Sequence, residues 1–272
     1  MHRFFVAPEL VQQPGATITL PKELAHQLRD VLHLQAGEQV VLLDNSGDEI
    51  AASIVGINKS AVTVQLLERH PGKSESSVRI ILCQGLLKSA RFEWILEKGT
   101  ELGVSAFSPI LCRRSMAGLE DAGTSKMQRW QRIITEAAEQ SGRARLPDLL
   151  PIRTLKDALD NIPPGALVLM PWEEEHGLTL RDALKKTVHS RGGGGDDEGW
   201  GPLWSPSGQQ LPVHHNHITI VLFIGPEGGL TVEEVSQAQQ HGAQVVSLGP
   251  RILRAETAAL AAVASVMYEL EQ

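Results

Sequence analysis

The sequence predicts an α/β protein, with a small β-barrel at the N-terminus and a larger domain of alternating strands and helices behind it. Three observations carry this. Residues 1–72 hold short alternating or apolar runs separated by turn residues. A polar stretch, PGKSESS at 71–77, then interrupts the pattern. Beyond it apolar strands and amphipathic helices take turns, as in a parallel sheet covered on both faces.

In the first part, runs at 16–20, 39–43, 49–57 and 61–67 are separated by Pro14-Gly15, Ala36-Gly37, Asn45-Ser46-Gly47-Asp48 and Asn58-Lys59-Ser60. Such turn clusters punctuate strands. One helix is expected over 21–34, with Pro21 suited to its first turn. Four short strands at this spacing predict a small barrel, and 71–77 reads as a flexible linker. In the second part, strands are expected at 78–83, 106–112, 166–170, 219–224 and 244–248. Helices are expected at 91–102, 126–141, 155–161, 178–189, 231–241 and 256–270. Gly103 and Gly142 follow two of them, as glycine often does at a helix end. Trp130, Ile133, Ile134 and Ala137 mark the inward face of 126–141. The expected division is 1–72 and 73–272, with 190–217 as a flexible insertion: it carries four consecutive glycines and no apolar period.

The chain has 272 residues, 42% of them hydrophobic and 21% charged, which excludes global disorder. Two cysteines, Cys83 and Cys112, make neither a disulfide framework nor a multi-cysteine zinc site. Both stand in apolar runs, which predicts reduced core thiols and a cytoplasmic protein. No apolar run approaches the length of a membrane span. His214, His215 and His217 have no cysteine or ordered carboxylate to complete a metal site, so no metal is expected. Trp200 and Trp204 lie in the same insertion, where stray aromatics of a mobile loop explain them as well as a partner does. The net charge of −7 argues against indiscriminate coating of nucleic acid. Yet residues 73–150 carry 12 Lys and Arg against 9 Asp and Glu. Arg113, Arg114, Lys126, Arg129, Arg132, Arg143 and Arg145 are set there against Glu120, Asp121, Glu136 and Glu139. Such a segment docks a polyanion or forms an ordinary solvated face.

Ligands of open α/β sheets bind outside the carboxyl ends of the strands. Three such ends carry unusual sequence. The first is Met170-Pro171-Trp172-Glu173. The second is Ile224-Gly225-Pro226-Glu227-Gly228-Gly229-Leu230, whose glycines allow close approach of a ligand to the backbone. It has no lysine for phosphates and is neither a Walker loop nor GxGxxG. With Glu227 in place, a neutral adenosine-like ligand fits it better than a polyphosphate; a tight strand-to-helix turn is the competing account. The third runs from Ser247 through Leu248, Gly249, Pro250, Arg251, Ile252, Leu253 and Arg254 to Glu256 and Thr257. Arg251 and Arg254 stand where the helix dipole is already positive, so an anionic neighbour or ligand is expected. Arg254 is the stronger candidate; Arg251 is equally explained as a surface residue. Lys88 and Arg91 flank another helix start, where phosphates or the neighbouring Glu93 and Glu97 would balance them. The last helix is nearly all small and apolar, which implies burial on several sides, in a core or a dimer interface.

IGPEGGLTVEE followed by LGPRILRAETAAL resembles the SPOUT class of RNA methyltransferases, and within it the bacterial 16S ribosomal RNA uridine-N3 methyltransferase family. HRFFV, FEWILEKGTELGV and RWQRIITEAAEQSGR with Pro147 agree in order, so the likeness spans nearly the whole chain. It implies a PUA-like N-terminal barrel for RNA, a C-terminal α/β domain with a trefoil knot, and a homodimer. S-adenosyl-L-methionine would be enclosed by Met170, Pro171, Ile224, Gly225, Pro226, Gly228, Gly229, Leu248, Gly249, Ile252, Leu253 and Arg254. The partner implied is 16S ribosomal RNA or the small subunit, with no membrane. Candidate RNA contacts are Arg3, His26, Arg29, Lys88, Arg91, Arg129, Arg132 and Arg143. His33 stands where the family often has arginine, which weakens or moves one such contact. Arg254 is the candidate stabiliser of charge on a uracil carbonyl oxygen. Glu256 would accept the N3 proton or hold Arg254. The target base must be unpaired or flipped, because N3 lies on its pairing edge. Two alternatives remain at this point: an RNA-binding protein without transfer activity, and an enzyme methylating transfer-RNA ribose.

Overall fold

The computed structural model describes residues 1–115, 123–191 and 218–271. Nearly all of the expected insertion over 190–217, with Trp200, Trp204, His214, His215 and His217, lies outside the described residues, as do Glu120 and Asp121. The described residues form two compact units. One comprises Met1–Glu75 with Thr135–Leu146, the other Ser76–Ile134 with Pro147–Gln272.

The first unit is built on a five-stranded sheet. Its elements are β1 (His2–Phe5), β2 (Thr17–Thr19), helix α1 (Lys22–His26), β3 (Gln39–Leu43), β4 (Asp48–Ile57) and β5 (Val62–Pro71). The strand order is β1-β3-β4-β5-β2. β1 runs parallel to β3, and the other pairs are antiparallel. Register shifts between Ile50 and Ala52 and between Ile54 and Gly56 interrupt the β4–β5 ladder, and such bulges bend a strand and increase its twist. Alternate residues Val40 and Leu42, Ile50, Ala52 and Ile54, and Val62, Val64 and Leu66 point to one core with Phe4 and Leu28. The helix expected over 21–34 is shorter and irregular. α1 gives way to a π-helical turn at Gln27–Val31, and His33 adopts a φ of +53°, a conformation that a helix cannot continue through.

The stretch at 71–77 is not the free linker its composition predicts. Pro71 completes β5, and the Gly72 N–H donates to the Gly47 carbonyl at 2.8 Å. The Glu75 carboxylate accepts from Arg143 Nη2 at 2.9 Å and from the backbone N–H groups of Ala144 and Arg145 at 3.0 Å each. Charge-assisted bonds of this kind are the strong ones, and they hold a polar segment that would otherwise be mobile.

The second unit is α/β. In chain order it comprises β6 (Val78–Gly85), α2 (Ser89–Glu101), β7 (Val104–Leu111), α3 (Thr124–Ser141), β8 (Asp148–Leu149), β9 (Arg153–Thr154), α4 (Leu155–Asp160), β10 (Leu167–Pro171), α5 (Leu180–Arg191), β11 (Ile218–Ile224), α6 (Val232–Gln240), β12 (Gln244–Val246) and α7 (Ala255–Leu270). The division between the units falls inside α3. The strands order as β12-β10-β11-β6-β7-β8, with β9 also on β7, and every pair is parallel. The pleat splits β6 between two cores. Ile80 and Leu82 face Phe92, Trp130 and Val263; Ile81 and Cys83 face Met170, Phe223 and Val235. Trp130 stacks obliquely on Phe92, 4.4 Å between ring centres. Burial pushes the Cys83 thiol up to about 12 and raises that of Cys112 as well, so neither is a thiolate near neutral pH. No helix among the described residues is long and apolar enough to cross a membrane.

Candidate active site

Because every strand of the second sheet is parallel, all its carboxyl ends open on one side. β6 pairs on one flank with β7, the next strand in the chain, and on the other with β11. That reversal is where a crevice forms in open α/β sheets. The loops after β6 and β11 meet there. Gln84, 1% exposed, donates from Nε2 to the Gly85 carbonyl at 2.9 Å and to the Gly225 carbonyl at 3.3 Å. The Lys88 N–H points to Glu227 Oε1 at 3.4 Å.

At Gly85 the β6 loop meets the backbone of the β11 loop. A Cβ there would fall 2.6 Å from Pro226 N and 2.8 Å from Gly225 C. Backbone does not yield as a flexible side chain does. Gly85→Ala is therefore expected to cost about 1–3 kcal/mol, read as a lower urea midpoint with unchanged slope. An unshifted midpoint would mean that the two loops part freely.

Within the β11 loop, Gly229 N–H donates to the Pro226 carbonyl at 2.9 Å, and Gly229 has a φ of +71°. A side chain there would be strained, and its Cβ would also lie 2.5 Å from Glu173 Oε1. The loop after β10 thus reaches the loop after β11. The loop after β7 reaches it too: Arg114 Nη1 donates to the Gly228 carbonyl at 3.1 Å. Arg113 N–H donates to Glu234 Oε1 at 2.8 Å, while the other oxygen of Glu234 caps the start of α6 at Thr231 N–H, 2.9 Å away. Arg113, Arg114, Gln84 and Glu234 were not among the predicted site residues. The Thr231-x-x-Glu234 capping box was a usable signal; the two arginines stood out only as members of the basic segment over 73–150, which does not tell that Arg114 reaches the β11 loop.

The predicted residues fall into three groups. Met170, Pro171, Ile224, Gly225, Pro226, Gly228 and Gly229 lie at the ends of β10 and β11. Leu248, Gly249, Ile252, Leu253 and Arg254 form the loop between β12 and α7. Ile252 is 87% exposed, unusual for its type. Arg254 caps α7 through its backbone, with its carbonyl accepting from Ala258 N–H at 2.8 Å, and its side chain is exposed. Glu256 points elsewhere than to Arg254: its Oε1 lies 3.6 Å from Arg91 Nε. Arg91 Nη1 also lies 3.4 Å from Glu227 Oε1. Arg91 is therefore balanced by Glu227 and Glu256, not by Glu93 and Glu97, which pair with Arg129 and Lys98.

The remaining candidate RNA contacts are scattered. Arg3 pairs with Glu49 at 2.8 Å. His26 and Arg29 both engage Asp30, whose carboxyl those bonds hold well below the usual range. Arg132 is exposed with no ion pair among the described residues. Arg143 is placed otherwise: at 6% exposure it is buried against Glu75 and has no surface for a phosphate. A shallow depression lined by Gly177, Leu178, Asp182, Lys185 and Lys186 contains none of the predicted residues.

At these strand ends and the start of α7, three buried polar atoms have no hydrogen-bond partner among the described residues: Gln84 Oε1, Trp172 Nε1 and Glu256 Oε2. Each such group costs about 1–3 kcal/mol if left so. Two acceptors and one donor of this kind match a nucleoside ligand that carries amine, hydroxyl and ring-nitrogen groups, and of the predicted glycines Gly249 alone has open space beside its backbone.

The parallel α/β unit gathers its loops at the carboxyl ends of its strands, where such sheets bind small molecules, and residues 74–267 match the RNA methyltransferase domain family. Ribosomal RNA small subunit methyltransferase E of Bacillus subtilis is 30% identical over 275 aligned residues, covering 100% of this chain and 98% of that protein. The Synechocystis protein of the same name is 35% identical, covering 99% and 78%. Among solved structures, that of the Neisseria gonorrhoeae ribosomal RNA small subunit methyltransferase E bound to S-adenosyl methionine superposes with a TM-score of 0.80 at 30% identity, covering 98% and 97%. A Legionella pneumophila putative methyltransferase in complex with SAM gives 0.77 at 29% identity, covering 98% and 96%. The chain belongs to the RNA methyltransferase family, in the branch of the ribosomal RNA small subunit methyltransferase E enzymes.

Proposed function

We propose that this protein uses S-adenosyl-L-methionine to methylate N3 of a specific uridine in 16S ribosomal RNA of the small subunit, in the cytoplasm. The observation that carries this is the meeting of the β10, β11 and β12 loops with unpartnered buried groups at Trp172, Gln84 and Glu256, in a chain that belongs to this family.

The cofactor would be held by the 170–171, 224–229 and 248–254 segments, largely through backbone. When bound, it supplies an electrophilic methyl carbon. The protein's own work is positioning and charge control. Arg254, exposed beside those loops, stabilises negative charge on a uracil carbonyl oxygen as N3 loses its proton. Glu256 Oε2 accepts that proton.

The finer architecture belongs to the same reading. Residues 1–72 are a PUA-like barrel for RNA, wrapped by the bulged β4–β5 pair. Residues 73–272 are the SPOUT domain, with a trefoil knot in the last segment. Its support is Ser247, which donates to the Leu178 carbonyl at 2.8 Å and accepts from Leu180 N–H at 3.0 Å before the chain returns from the β12 edge to pack α7 on β6 and β11. The exposed face of α7, with Thr257, Ser265 and an 84% exposed Tyr268, serves a homodimer. RNA phosphates are met by Arg3, His26, Arg29, Lys88, Arg129 and Arg132.

Incubation of the protein with S-adenosyl-L-methionine and unmodified small subunits, followed by nucleoside mass mapping, is expected to yield N3-methyluridine at one site. Methylation at a ribose hydroxyl would replace this reading with the ribose alternative. No heat on titrating S-adenosyl-L-methionine would reduce the protein to an RNA binder.

A further inference from the structure

We propose that Arg91 is a positioning residue for Glu256, rather than an RNA contact. This rests on the reading of Glu256 as the acceptor of the N3 proton. Arg91 stands in the first turn of α2, where the helix dipole disfavours a cation. Two carboxylates from two other segments converge on it. Nη1 lies 3.4 Å from Glu227 Oε1 in the β11 loop, and Nε lies 3.6 Å from Glu256 Oε1 in the first turn of α7. A guanidinium between two carboxylates has little charge left for a phosphate.

The two oxygens of Glu256 are not equivalent. Oε1 faces Arg91, whereas Oε2 is buried and accepts no hydrogen bond, although the backbone donors of the α7 N-terminus are within the same turn. The side chain is 12% exposed, so its direction is set by neighbours and not by solvent. Arg91 stands beside one oxygen at 3.6 Å and draws the carboxylate to its side by charge. The other oxygen, buried and without a partner among the described residues, has no competing bond to give up when the site opens to a donor brought by the substrate. Glu227 completes the arrangement by holding Arg91 from the far side. It also ties the clamp to the loop whose first carbonyl, that of Gly225, is fixed by Gln84. Distances of 3.4–3.6 Å are longer than a formed bond and suit a constellation that tightens on substrate binding.

The test compares Arg91→Ala, Arg91→Lys, Glu227→Gln and Glu256→Gln by single-turnover methylation of small subunits, with RNA affinity measured across salt concentrations. For Arg91→Ala the rate at saturating RNA is expected to fall about 10- to 100-fold, with RNA affinity and its salt slope unchanged. Arg91→Lys should recover most of the rate. Glu227→Gln, on an exposed loop, should lower it in the same direction by less, and serves should Arg91→Ala fold poorly. A reduced salt slope of about one unit with an intact rate would make Arg91 a phosphate ligand and overturn the proposal while leaving Glu256 in place. Full activity of Glu256→Gln would instead remove Glu256 as proton acceptor, and the proposal with it.

Discussion

Arg254→Ala is expected to lower methyl transfer about 10²- to 10³-fold while leaving the affinity for S-adenosyl-L-methionine largely intact. Arg254 is the residue that caps the start of α7, and its backbone carbonyl already secures the cap by accepting from Ala258 N–H. That bond survives in the variant. The side chain is exposed and makes no ion pair among the described residues, so its removal should change stability by no more than about 0.5 kcal/mol. What it does carry is charge at the mouth of the loop set. A cation kept at the positive end of a helix, without a partner, is unfavourable in the resting protein and becomes favourable as negative charge grows on the base. Single-turnover rates with small subunits, beside calorimetry with the cofactor, separate the two effects. A variant that turns over like its parent would take Arg254 out of the mechanism. One that loses cofactor affinity in proportion would make it a binding residue.

The period of the apolar residues made most of the second unit legible. The strand and helix expected over 219–224 and 231–241 are β11 and α6 within a residue or so, because both have strong patterns of their own. β8 and β9 span two residues each, too short for any period; they exist because β7 offers them an edge. β1 was invisible for a related reason: its partner β3 is far along the chain, and HRFF has no alternation. The site was legible as loops but not as contacts. That Glu256 turns to Arg91 rather than Arg254 depends on how α2 and α7 pack, which no local pattern records. In the last helix, small residues predicted burial on several sides. α7 buries Ala259, Ala262, Val263 and Val266 but exposes Thr257, Ser265 and Tyr268. The composition permitted close packing without saying on how many faces it occurs.

The same limit applies to residues 71–77, where polar composition and a glycine gave no hint of a clasp, and there the second large effect is expected. Glu75→Ala should destabilise the first unit by about 3–5 kcal/mol. Arg143 is buried beside Glu75, at side-chain exposures of 8% and 21%. Solvent is too scarce there to replace the carboxylate around the guanidinium. The variant also removes the acceptor for the backbone N–H groups of Ala144 and Arg145. Cost therefore comes from a buried cation losing its counter-charge and from two donors losing their partner together, so it exceeds that of an exposed ion pair such as Lys156 with Asp160. Scanning calorimetry should show the first unfolding transition lower by on the order of 10 °C. Glu75→Gln keeps one acceptor oxygen without the charge and should lose less. Arg143→Met takes the cation away as well, leaving a carboxylate with its two backbone donors, and should also lose less than Glu75→Ala. If Arg143→Met melted like the parent while Glu75→Ala fell, charge burial would not be what holds this segment, and the backbone bonds to Glu75 alone would account for its order.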